Sequence, residues 1–217
     1  MSEYDGEPVR GLPERLPRGE TILWQGSPEW KAFARHALHL RTFMVYFALL
    51  TVWNGVSALL ADHTVAQAAV SALWGLGLGV AACLLLTLFA WGTGRATVYT
   101  ITSKRVVMRY GLALPMTVNY PFALVDGAGL RLHADGTGEI PLAMQKGSRL
   151  SYLVMWPHAR PWRIGKPEPM MRAIPEAERV ARILGRALAA AADQPATATA
   201  DLAVPSAAAR PQAAAVA

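Results

Sequence analysis

Cysteine is almost missing from this 217-residue chain: Cys83 stands alone in an apolar run. That excludes an internal disulfide framework or a cysteine-based metal site, and leaves the thiol the role of a small hydrophobe. Charge is also scarce, at 17% Asp, Glu, Lys and Arg, and residues 42–61 and 64–94 carry none. The first 40 residues mix acids, bases and prolines with no early apolar stretch, so a cleavable signal peptide is not expected. HExxH, CxxC, GxSxG and phosphate-loop motifs are absent. Asp126 and Asp135 are separated by strand and turn, and His133 and His158 have no nucleophile beside them. The expectation is a protein that is not an enzyme and that needs no cofactor and no metal.

What is present is apolar and segregated. Hydrophobic residues make up 53% of the chain and the mean hydropathy is +0.24, with nearly all the excess between residues 42 and 94. The 20 uncharged residues 42–61 suffice to cross about 30 Å of hydrocarbon at about 1.5 Å per residue. A second run, 64–94, is long enough to span with tilt. So short a connection predicts an antiparallel hairpin. Lys31, Arg35 and Arg41 precede it, Arg95, Lys104, Arg105 and Arg109 follow it, and the connecting loop has no basic residue. Both termini are therefore expected in the cytoplasm, with the protein multi-pass in the inner or intracytoplasmic membrane. Gly75 and Gly79 form a GxxxG face, which serves either an external helix or the other half of the hairpin.

Ahead of the hairpin, Ser27 and Pro28 predict an N-cap and first turn of an interfacial helix with Phe33, Ala37, Leu40 and Met44 on one face. His36, His39 and His63 fall near the membrane boundaries, as headgroup-facing residues or as pigment ligands. After the hairpin the pattern alternates around a turn at residues 102–104, and strands are predicted at 116–120, 124–132, 139–142 and 150–156. The prolines of residues 156–175 argue against a regular helix or central strand there. From Pro175 an amphipathic helix is predicted, with Ala177, Val180, Ala181, Leu184 and Leu188 on one stripe. Residues 193–217, rich in Ala and Pro, are expected to be disordered.

The stretch YTITSKRVVMRYG at 99–111, behind the hairpin and GETILWQGSPEW at 19–30, resembles membrane-anchored bacterial PH-like domains. GTGEIPLAM at 136–144, YLVMWPHARPWR at 152–163 and KPEPMMRAIPEAERVA at 166–181 sharpen this. Together they resemble the photosynthetic-complex assembly proteins of purple phototrophic bacteria, over about residues 12–190. The resemblance implies a role in assembling the reaction centre and its light-harvesting 1 antenna, and supplies no catalytic residues. The fold expected is an α+β membrane protein: a cytoplasmic segment at 1–41, a two-helix transmembrane hairpin at 42–94, and a PH-like sheet or partial barrel with a C-terminal amphipathic helix at 95–192.

Two surfaces stand out as candidates. Trp156, His158, Arg160, Trp162 and Arg163 alternate aromatic anchors with cations in a proline-stiffened segment, a composition suited to gripping reaction-centre and light-harvesting 1 subunits. The alternative is that the tryptophans merely close the sheet. Arg95, Lys104, Arg105 and Arg109 are candidates for contact with anionic lipids, or form an ordinary positive flank. The net charge of +6 comes with no nucleic-acid-binding motif, so no nucleic acid is expected, while a homodimer stays open. The alternative to the assembly reading is a general membrane-anchored PH-like module that binds lipid or protein.

Overall fold

A computed structural model describes residues 11–12, 14–112, 114–145 and 151–192, so the Ala/Pro tail and the first residue of the strand expected at 150–156 lie outside the described residues. The hairpin is present as α2 (Leu40–Leu60) and α3 (Val65–Ala96), numbered after α1 (Trp30–Ala32). Both are long and apolar enough to cross a membrane, and both leave most of their side chains exposed. Thr64 opens α3 with a reciprocal capping box to Gln67. Gly75 and Gly79 face α2: a Cβ on Gly79 would lie 2.7 Å from Phe47 Cβ, and one on Gly75 3.1 Å from Asn54 Nδ2. The glycine face is thus used inside the hairpin, where small residues let helix backbones approach closely.

Among the described residues, eight strands follow the alternation only in part. β1 (Ile22–Gly26), β2 (Val98–Thr102), β3 (Arg105–Tyr110) and β4 (Met116–Pro121) form an antiparallel sheet in the order β1-β2-β3-β4. In a second group, β7 (Gly138–Met144) pairs with β5 (Val125–Ala128), β6 (Arg131–Leu132) and β8 (Met170–Ile174). The two groups and α5 (Ala177–Ala191) close on one core, which includes Tyr99, Ile101, Met108, Ile140, Met171 and Leu184. The predicted stripe of α5 meets this core through Ala177, Val180 and Leu184, with Ala181 and Leu188 partly buried beside them.

Four expectations are corrected. The described part of 150–156 holds the short helix α4 (Tyr152–Met155), not a strand. Within the proline-rich stretch, Met170–Ile174 is a fully buried strand, because its five residues lie between Pro169 and Pro175 and none is proline. The N-terminal segment is no separate unit: it supplies β1, an edge strand of the sheet, with Trp24 paired to Ile101 and Gly26 to Tyr99. The helix after Pro28 starts only at Trp30, with Glu29 as an uncapped N-cap. It continues as a π-turn over Phe33–Ala37 and breaks at His39, whose φ of 52° is left-handed. This segment is buried in protein: Ala32, Phe33, Ala34 and Leu38 pack with Ala90 of α3 and Ala173 of β8. Gly94 permits the approach, since a Cβ there would come within 2.9 Å of Trp30 Cβ. The base of the hairpin is thereby locked to the domain. Complete burial of Phe33 contributes on the order of 2 kcal/mol to that lock.

Candidate functional site

The segment 156–163, with its mixed aromatics and cations, divides into three environments. Trp156 stacks on Phe89 of α3, with ring centroids 5.5 Å apart. Trp162 is the opposite extreme, 93% exposed on a backbone at φ 64°. His158 is buried at 1% exposure, which removes it from the candidate partner surface. Its Nδ1 lies 2.7 Å from the Tyr99 hydroxyl and its Nε2 3.3 Å from Thr97 Oγ1. The Arg172 backbone N–H donates to the same Tyr99 oxygen. Tyr99 therefore gives its proton to Nδ1, and the imidazole is the Nε2–H tautomer donating to Thr97. Burial, with the Arg172 guanidinium nearby, pushes the imidazole down to about 3. The same burial raises the Tyr99 phenol far above its ordinary range. His158 is a neutral structural pin between α4, β2 and β8.

Around this pin the remaining charges assemble a groove. Arg172 donates from Nε and NH2 to Glu139 Oε1 and from NH1 to the Pro157 carbonyl. Glu139 also faces Arg131 at 3.9 Å. Glu168 is bracketed by Arg160 at 2.8 Å and Arg163 at 3.0 Å. Asp135 takes His36 Nε2 at 2.9 Å and Arg35 at 3.6 Å. Hydrogen bonds from Thr137 and then His36 hold the Asp135 carboxyl well below the usual carboxylate range. The His36 ring stacks on His133 at 3.7 Å with planes 4° apart, and burial followed by the His36 charge lowers His133. His36 therefore faces the domain and not a membrane pigment.

Between these groups lies a cavity of about 710 Å³, with Arg35, Arg131, Arg160 and Arg172 set against Glu139 and Glu168 in its wall. His39, the residue before α2, and Trp162 line it as well. The cavity thus opens where the hairpin meets the domain, and its wall carries more positive than negative charge. Sequence reasoning found Arg160 and Trp162 but missed Arg35, Arg131, Glu139 and Arg172, which come from three distant stretches of chain and share no local spacing.

The four cations considered for lipid contact are scattered. Arg95 sits over the Trp91 ring at 4.8 Å, beside the end of α3. Arg109 is buried within β3, at the end where Val98 pairs with it. Lys104 and Arg105 lie at the opposite end of the β2–β3 hairpin, about 17 Å along the strand from α3. Arg105 there donates to Glu20 Oε1 at 2.9 Å. The strands carry these residues away from the helices, so they form no single headgroup patch.

Comparison with known proteins fits this architecture. The model of the family described as bacterial PH domain matches residues 45–188. The chain belongs to the bacterial PH domain family. This PH-domain protein is 41% identical over 196 residues to an uncharacterized 23.7 kDa protein encoded in the puhA 5′ region of Rhodobacter capsulatus. That alignment covers 89% of the chain and 91% of the relative. No solved structure matches it.

Proposed function

We propose that the chain is a membrane-anchored assembly factor for the photosynthetic reaction centre and its light-harvesting 1 antenna, and that it acts by binding and not by catalysis. The observation that carries this reading is the 41% identity, over 89% of the chain, to a protein encoded in the puhA 5′ region. In this reading α2 and α3 span the inner membrane with both termini in the cytoplasm, and the PH domain hangs directly beneath them. Phe33, Ala90 and Ala173 pack the base of the hairpin against the domain. Such a body can hold a client at two heights at once, through the outer faces of the helices and through exposed residues such as Trp162 and Leu153.

The test is gentle detergent purification of the tagged protein from phototrophically grown membranes, with a near-infrared spectrum and mass spectrometry of the eluate. Reaction-centre or light-harvesting 1 subunits enriched over a tagged unrelated hairpin support the proposal. Recovery of lipid alone, under conditions that keep the core complex intact, rejects it in favour of a general lipid-binding PH module.

A further inference from the structure

We propose that the arginine-lined cavity at the base of the hairpin is a binding site for the phosphate headgroup of an anionic phospholipid, with the groove between α2 and α3 taking its acyl chain. The inference rests on the membrane-spanning reading of the hairpin, but not on any photosynthetic client.

Three observations converge. The first is charge: four guanidinium groups and two carboxylates line the cavity, leaving an excess of two positive charges. Two of the cations are loosely held, Arg131 at 3.9 Å from Glu139 and Arg35 at 3.6 Å from Asp135. Both can turn toward an entering phosphate without stripping a tight partner, and a planar guanidinium suits bidentate phosphate contact. The second is position. His39 lines the polar cavity, and the next residue, Leu40, lines an apolar groove of about 340 Å³ with Met44, Phe47, Gly79, Val80 and Leu84. The chain thus passes from a cationic chamber to a hydrocarbon-compatible groove at one peptide bond, the sequence of environments that a phospholipid presents.

The third observation is the rim. Trp162, 93% exposed, lines the cavity in a segment whose Trp156 already packs on α3. A tryptophan with an apolar body and a polar N–H is suited to the headgroup level of a bilayer. A water-soluble anion would make no use of this rim or of the groove. A phosphate carrying acyl chains uses all three.

The experiment uses the full chain, purified in detergent, stripped of lipid, and then offered dioleoyl-phosphatidylglycerol or dioleoyl-phosphatidylcholine, with retained lipid counted by native mass spectrometry. Wild type is expected to retain the anionic lipid preferentially. In Arg35→Gln/Arg131→Gln that preference falls by about tenfold per guanidinium lost, the worth of one hydrogen bond to a charged group. Lys104→Gln, at the far end of β2–β3, retains it fully. Should the double variant unfold, competition on wild type decides: glycerol 3-phosphate displaces phosphatidylglycerol if the cavity holds the headgroup, and fails to if the lipid merely coats the hairpin. Equal retention of both lipids by wild type, or unchanged preference in the folded double variant, overturns the proposal. So does inorganic phosphate binding as tightly as the lipid, which makes the occupant a free anion. Carbonate extraction of wild type from membranes separates the premises: a protein that stays membrane-integral yet shows no lipid preference disproves the cavity assignment alone.

Discussion

At position 158 the imidazole gives up solvent, and its protonation is then set by its neighbours. The Tyr99 hydroxyl and Thr97 occupy both ring nitrogens, and Arg172 stands behind them. An unfolded histidine takes up a proton near pH 6.5, whereas the folded one stays neutral down to about 3. Between those values the unfolded chain binds more protons, so stability falls as pH falls, by at most about 1.4 kcal/mol per pH unit from this residue. His133, also lowered, adds in the same direction. The thermal midpoint in detergent is therefore expected to be lower at pH 5 than at pH 7.5, with a shallower pH dependence in His158→Gln; parallel slopes for wild type and variant would remove His158 as the cause. His158→Ala takes the ring away from the Tyr99 O–H and from Thr97, leaving Tyr99 only the Arg172 N–H it accepts, and opens a cavity beside them; it should cost about 2–4 kcal/mol of stability, readable as a fall in that midpoint at pH 7.5.

At the scale of elements, the hairpin, β2, β3, β4 and α5 were legible because each carries a long local signal: an uncharged run, a period of two, or a period near 3.6. Alternation also pointed to β5 and β7, though not to the break at residues 129–130 between β5 and β6. β1 and β8 were not legible. Ile22–Gly26 is a five-residue edge strand without clean alternation, and Met170–Ile174 is apolar except for Arg172, whose charge is neutralised by Glu139 some 33 positions earlier. The groove suffered the same blindness, since its charges meet only after β7 and β8 pair.

The loss of β1 from the domain has a measurable consequence. A fragment starting at residue 95 lacks the strand that covers β2 and the Phe33 ring 5.9 Å from His158, so it is expected to aggregate or stay unfolded, as seen by circular dichroism and gel filtration. A folded monomeric fragment would mean that the N-terminal strand is dispensable. Within the hairpin, Gly79→Leu should lower the thermal midpoint by the equivalent of about 1–3 kcal/mol because it drives into Phe47. Gly77→Ala, which meets nothing within 4 Å, should leave it unchanged, and equal effects of the two substitutions would refute the packing of Gly79 on α2.

For the whole molecule, the placement of charge decides which side of a membrane the domain occupies. The connection between α2 and α3 carries Asp62 and His63 and no lysine or arginine, whereas Arg35 and Arg41 lie at one foot of the hairpin and Arg95 at the other. Translocating the connection carries no basic residue across, whereas the opposite orientation would carry across Arg35, Arg41 and Arg95 beside the helix ends. In the proposed spanning arrangement the loop is expected outside and the PH domain inside. In a Cys83→Ala background, Asp62→Cys should react with a membrane-impermeant maleimide on intact spheroplasts, while Lys104→Cys should react only after permeabilisation. The reverse pattern would put the domain in the periplasm and withdraw every cytoplasmic partner proposed for it. Reaction of both sites on intact cells would mean that the helices do not span, and the cationic cavity would then have to act on a membrane approached from outside.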